Sequence, residues 1–136
     1  HSLLEPLVIG QVQTSKGPRE LVFQVGVSDN VYALDAKTGE LVWKRHFEST
    51  YQDPPGARGP SVLCPGGMTA NITIGPGNAP GRYVIYAASW DGRLHMLNAA
   101  DGEQLSQPLK FMPPNGKPYA LNLVGRVIYT HSAQGC

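Results

Sequence analysis

Alternation of apolar and polar residues is clearest over Val31–Trp43, VYALDAKTGELVW. Val31, Ala33 and Asp35 interleave with Tyr32, Leu34 and Ala36, the period-2 rhythm of a strand. Lys37-Thr38-Gly39 supplies a turn, with glycine where the backbone calls for positive φ. Glu40–Trp43 restarts the alternation on the way back. A looser copy lies at Leu94–Leu105, LHMLNAADGEQL, where Gly102 stands 63 positions after Gly39, Asn98 matches Asp35 and Leu97 matches Leu34. A repeated hairpin predicts a repeat architecture.

The rest of the chain falls into register with it. Leu3–Gly10 reads as a first strand, Gln11–Glu20 as a polar hairpin connection, and Leu21–Ser28 as a second strand turning at Asp29-Asn30. With the hairpin strands, ending near Phe47, these make a four-stranded meander over residues 3–47. Residues 48–67 are dense in proline and glycine and read as a long loop, a kind of segment that is commonly functional or inserted. Met68–Ile74 resumes a strand, Gly75–Gly81 turns, and Arg82–Ser89 repeats Glu20–Ser28. Trp90-Asp91-Gly92 leads into the second hairpin, whose last strand runs to about Phe111, so residues 68–111 form a second unit. Residues 117–136 give half of a third, with strands at Tyr119–Val124 and Arg126–Ser132. There VIYTHS echoes VIYAAS, 43 positions on. The expected fold is all-β: a propeller of four-stranded antiparallel blades, about two and a half of them present. Rings of this kind hold about four to eight blades, and at roughly 45 residues per blade this chain is expected to be a fragment of a seven- or eight-bladed ring. The rest of the propeller, in the same or another chain, is then an implied partner.

Composition agrees. The 136 residues are 41% hydrophobic and 15% charged, with 16 glycines and 12 prolines, a balance that disfavours helical bundles and charge-driven disorder. A net charge of +1 provides no basic field for nucleic acid. No run of 18 apolar residues is present to span a bilayer. Two cysteines, Cys64 and Cys136, do not fix a redox compartment.

The series Ala33-x-Asp35-x-Lys37-Thr38-Gly39-x-x-x-Trp43 resembles the tryptophan-docking motif of the pyrroloquinoline quinone (PQQ) propellers, the fold of quinoprotein alcohol and methanol dehydrogenases. Physically, an indole on the outer strand can lie flat on the peptide at a neighbouring blade's glycine, covering about 150–250 Å². Alanine leaves room for it, and the aspartate can accept from the turn amides. The second copy carries Ser106 where Trp43 stands, so blade two has lost its indole.

The resemblance implies a part of a PQQ-dependent dehydrogenase oxidising an alcohol or sugar, in the periplasm of a bacterium or outside the cell, with Ca²⁺ beside the quinone. Cys64, Ser132 and Ala133 would contact PQQ, and Gln134 would approach the calcium. Two departures weaken that implication. The family's adjacent cysteine pair is here Cys64 alone, and Ser132-Ala133-Gln134 replaces a Gly-Ala-Glu run, putting a neutral amide where a carboxylate ligand belongs. The alternative is a non-catalytic propeller acting as a scaffold in an envelope complex or an extracellular assembly. Meander topology places residues 51–67, Trp90–Arg93, Met112–Pro118 and the positions after Ser132 on one rim, where Cys64 and Cys136 could pair or stay free.

Other signals carry less. Gly75–Gly81 joins two strands without a helix to hold phosphate. His1, His46, His95 and His131 lack metal-ligand spacing and read as surface or strand-packing residues. Asp91, Asp101 and Glu103 are expected to be solvated turn residues, Arg58 and Lys117 exposed loop charges. Asn71-Ile72-Thr73 fits a glycosylation acceptor but lies on an expected inner strand.

Overall fold

The computed structural model describes residues 4–26, 28–48 and 68–132. Among these residues every regular element is a strand. β1 (Leu7–Thr14), β2 (Gly17–Gly26), β3 (Asn30–Asp35) and β4 (Leu41–His46) form one antiparallel meander. A second meander contains β5 (Thr73–Pro76), β6 (Tyr83–Ala88), β7 (Arg93–Asn98) and β8 (Leu109–Lys110), and β9 (Pro118–Val124) pairs with β10 (Val127–Ser132). Successive four-stranded meanders stacked face to face are propeller blades. The all-β propeller expectation holds, and two blades with half of another make up part of a ring that other repeats complete.

Local departures from the expected strands have physical causes. The polar stretch Gln11–Glu20 is mostly strand, not connection. β1 continues to Thr14 through a bulge at Gln11 (φ 59°), where the register slips between Ile9 and Val12. The turn is confined to Ser15-Lys16, closed by a bond from the Thr14 hydroxyl to the Gly17 carbonyl (2.7 Å). Met68–Ile72 is outside the ladder although Met68, Ala70 and Ile72 are buried, so their apolar character reflects packing rather than pairing. Blade two's outer strand is broken: Gln104 bridges Leu97, and the ladder resumes only at Leu109 and Lys110. Pro108 cannot donate to a ladder.

The core lies between blades one and two. Leu21, Phe23, Val25, Val31, Ala33 and Trp43 point from blade one towards Ile85, Ala87, Leu97 and Ala99 of blade two. The third sheet is covered on one side only. Leu121 and Ile128 pack with Ala88 and Leu94, while Val124, Val127 and Tyr129 remain exposed.

Candidate functional site at the junction of two blades

Among the contacts that tie blade one to blade two are those of Trp43, Phe47 and Asp29. The outermost is Trp43. Its alternating position on β4 directs the indole inward, opposite Ala33 in the register, and its Nε1–H donates to the Ala99 carbonyl (3.0 Å). A methyl on Gly102 would sit 2.7 Å from ring carbon Cε3 of Trp43, and φ at Gly102 is +74°. The indole therefore rests on the Gly102 peptide, and only glycine admits both the ring and the left-handed turn. Asp35 shapes the matching turn in blade one, accepting from the Lys37 and Thr38 amides at 2.9 and 3.1 Å. The Lys37 amide bond is the leading influence holding this carboxyl below its usual pKa, and Arg19 adds an ion pair at 3.1 Å.

Further toward the opposite rim, Phe47 stacks on His95, with ring centroids 3.7 Å apart and planes at 17°. At that rim stands Asp29. It follows β2 in the left-handed region (φ 51°), where blade two has Gly92 (φ 78°). Both of its carboxylate oxygens accept from the Trp90 amide at 3.1 Å, while its own carbonyl accepts from the Phe47 amide at 2.9 Å. Asp29 is only 4% exposed. Burial pushes its pKa up to about 7 and nearby Asp91 pushes the same way, against the Trp90 amide and His46.

Beneath this lies a network of the hydrolase type. Ser89 Oγ is 3.0 Å from His95 Nε2, and His95 Nδ1 is 3.2 Å from Gln104 Oε1. The Gln104 amide nitrogen donates to the Met96 and Ser106 carbonyls (3.3 and 3.0 Å), which turns its oxygen towards Nδ1 and places the ring proton there. Nε2 thus presents a lone pair to Ser89. Ser89, however, has one proton and a shorter acceptor, Asp91 Oδ1 at 2.6 Å. The cavity beside Ser89, Trp90 and Met112 has a volume of about 10 Å³, room for a water and no more. Burial also lowers the His95 pKa. The trio is a packed polar cluster, not a nucleophile facing substrate.

Asp91, expected in solvent, is instead held by Ser89 and by Arg93 (3.3 Å), with a side chain 7% exposed. It lies in its turn as expected, but the turn is packed under the 112–118 loop: the Phe111 and Met112 amides both donate to the Gly92 carbonyl, and the Asn115 amide to that of Trp90. Asn71, read against glycosylation, donates to the Glu5 carbonyl at 2.8 Å. Of the residues assigned to a quinone site, Ser132 ends β10, exposed and opposite Pro118. Cys64, Ala133 and Gln134 lie outside the described residues, as do Cys136 and Arg58. Among the described residues no group of three or more His, Cys, Asp or Glu could hold a metal ion.

The indole seated on a repeated glycine turn is the structural mark of PQQ-like repeats. A family model of such repeats, described as outer membrane protein assembly factor BamB, matches residues 10–107. The chain belongs to this family. The match runs from the bulge of β1 to the broken outer strand of blade two, so it contains the whole Trp43–Gly102 junction and the Asp29 and His95 contacts. No curated protein matches the chain. Membership fixes the PQQ-like repeat. It is common ground for cofactor-bearing propellers and for assembly factors.

Sequence reading missed Asp29, Ser89 and His95 as a group. The turn at Asp29-Asn30 was legible, but nothing in the chain marks that aspartate as reaching another blade's amide.

Proposed function

We propose that this chain is part of a non-catalytic PQQ-like propeller that serves as a scaffold in assembling outer membrane proteins, in the envelope of a bacterium. The observation that carries the reading is how the rim's polar groups are used. Asp29, Ser89, Asp91, His95 and Gln104 bond to one another, to backbone or across the junction of two blades, which holds a rigid surface rather than a reacting group. The description of the family supports the same reading. No helix among the described residues is long and apolar enough to cross a membrane.

A quinoprotein reading retains one observation in its favour: Ser132 ends exposed on the rim where the resemblance puts a quinone contact. Under it Cys64, Ser132 and Ala133 would touch PQQ and Gln134 would approach Ca²⁺. Of that set the described residues supply one hydroxyl, and no step is derived through the cofactor.

One experiment separates the two. Full-length protein is mixed with PQQ and Ca²⁺ and passed through gel filtration, and outer membrane β-barrel content is measured in cells lacking it. The scaffold reading expects no retained quinone absorbance and a fall in barrel content that the wild-type gene restores. Retained quinone with dye-linked alcohol oxidation, or unchanged barrel content, overturns it.

A further inference from the structure

Blade one ends in an open strand edge. β4 lies last in the order β1-β2-β3-β4 and pairs with β3 alone. The register sets Arg45 against Val31 and His46 against Asn30. One step further, the Phe47 amide donates to the Asp29 carbonyl at 2.9 Å. Hydrogen-bonded and non-hydrogen-bonded pairs alternate along an antiparallel ladder. Arg45 therefore turns its N–H and C=O towards β3, as Phe47 does, while Lys44 and His46 turn theirs outward. Among the described residues no strand takes up those outward groups. Blade two offers no comparable edge. Its outer strand is reduced to Leu109–Lys110 and the bridge from Gln104 to Leu97, with Pro108 between them, and short strands and prolines are what keep an edge from pairing.

Charge guards the edge of blade one instead. Lys44, Arg45 and His46 are all exposed. Side chains alternate along a strand, so Lys44 and His46 stand on one face of the sheet and Arg45 on the face that carries Trp43. Lys44 lies over the Tyr32 ring, 5.5 Å from its centroid, and His46 is 3.6 Å from Glu48. Among the described residues neither Lys44 nor Arg45 has a carboxylate within ion-pair distance. Lysine on an edge keeps ordinary strands away. A basic strand is repelled, and a neutral one would bury the charges without compensation. An acidic strand meets neither obstacle, because opposite charges facing each other across a strand pair are stabilising. The residues that close this edge to other strands thus select one kind.

We propose that β4 is a docking edge for an acidic, extended segment of a partner protein, which adds a strand to the outside of blade one. The segment's backbone bonds to the outward N–H and C=O groups of Lys44 and His46. Its carboxylates face Lys44 on one side of the sheet and Arg45 on the other, so they come from consecutive residues. A second copy of this chain cannot offer its own β4, since Lys44, Arg45 and His46 would then meet their like. The inference concerns a sheet edge and stands or falls independently of the scaffold reading.

The test uses the purified full-length protein and short fluorescein-labelled peptides, blocked at both ends, of alternating valine and threonine around three central residues. Fluorescence anisotropy should show the peptide with three central glutamates binding at least tenfold more tightly than its counterpart with three lysines. The double variant Lys44→Glu/Arg45→Glu should reverse that order. Both positions are exposed, so its urea denaturation midpoint should match wild type. A further measurement needs wild-type protein alone. Methylating the amide nitrogens of the first and third glutamates, which would face β4, should weaken binding at least tenfold, whereas methylating that of the middle glutamate should not. No binding, equal binding of the two peptides, or an order that survives the double variant overturns the proposal. Equal effects of the two methylation patterns also overturn it, for they would show attraction without strand pairing.

Discussion

Replacing Asp29 by asparagine should stabilise the protein, increasingly so as pH rises. The carboxyl is buried between blades and its pKa stands at about 7 against an ordinary 3.8. Between those values the native state retains a proton that the unfolded chain has released. Native protein then binds more protons than unfolded protein, so stability falls as pH rises through this window. The burden is absent below pH 3.8 and complete above about 7. At 1.36 kcal/mol for each tenfold change in acidity constant, its ceiling is ~4 kcal/mol, and relaxation around the charge will reduce it. The substituted amide would keep an oxygen for the Trp90 N–H, and asparagine tolerates the φ of 51° found at this position. It would not take a charge. His95 contributes the opposite slope: burial lowers its pKa, so acid charges it in the unfolded chain first and stability falls as pH falls. Comparing wild type with Asp29→Asn at each pH cancels that contribution. The assay is urea denaturation of the full-length protein at pH 4, 5, 6, 7 and 8. The two proteins should nearly coincide at pH 4 and separate by up to a few kcal/mol at pH 8. A gap that stays constant across the series refutes the reasoning.

Three further outcomes follow from the same junction. Trp43→Ala should cost about 3–5 kcal/mol, the range for emptying a buried aromatic site, and Trp43→Phe should recover part of it without the bond to Ala99, both read from denaturation midpoints. Gly102→Ala should approach the cost of Trp43→Ala, because the added carbon falls 2.7 Å from the indole on a backbone at positive φ; a neutral result would mean the ring does not rest there. His95→Gln should flatten the acid limb of the stability profile below the ordinary histidine value of 6.5, and an unchanged limb would assign that limb to other groups.

What the sequence made legible was whatever repeats or alternates. The hairpin at Val31–Trp43 and its copy share the turn that seats an indole, so the junction between blades could be anticipated from Ala33, Asp35, Gly39 and Trp43. β9 and β10 were readable within a residue at each end because VIYTHS repeats the VIYAAS of blade two. Gln11–Thr14 was not, since a strand of polar residues following a bulge resembles a loop. Asp29, Ser89, Asp91 and His95 were hidden for another reason. Asp29 finds its partner on the other blade, whereas Ser89, Asp91 and His95 meet one another, Arg93 and Gln104 within blade two, and neither kind of side-chain contact leaves a period in its own strand. Asp91 in particular reads as an ordinary turn aspartate until the 112–118 loop is seen covering it.

Ser106 has a mechanical consequence. The first seam is riveted by an indole, a ring stack and a buried carboxyl. The second has an apolar cluster of Leu121 and Ile128 with Ala88 and Leu94, Leu123 lying against Gly75, and the Thr69 hydroxyl on the Pro118 carbonyl (2.8 Å), but no tryptophan at position 106. Under tension or brief thermal opening, β9 and β10 should peel away first while blades one and two stay clasped. Their amides would exchange with deuterium ahead of those of β2, β3, β6 and β7, making this seam the more yielding of the two.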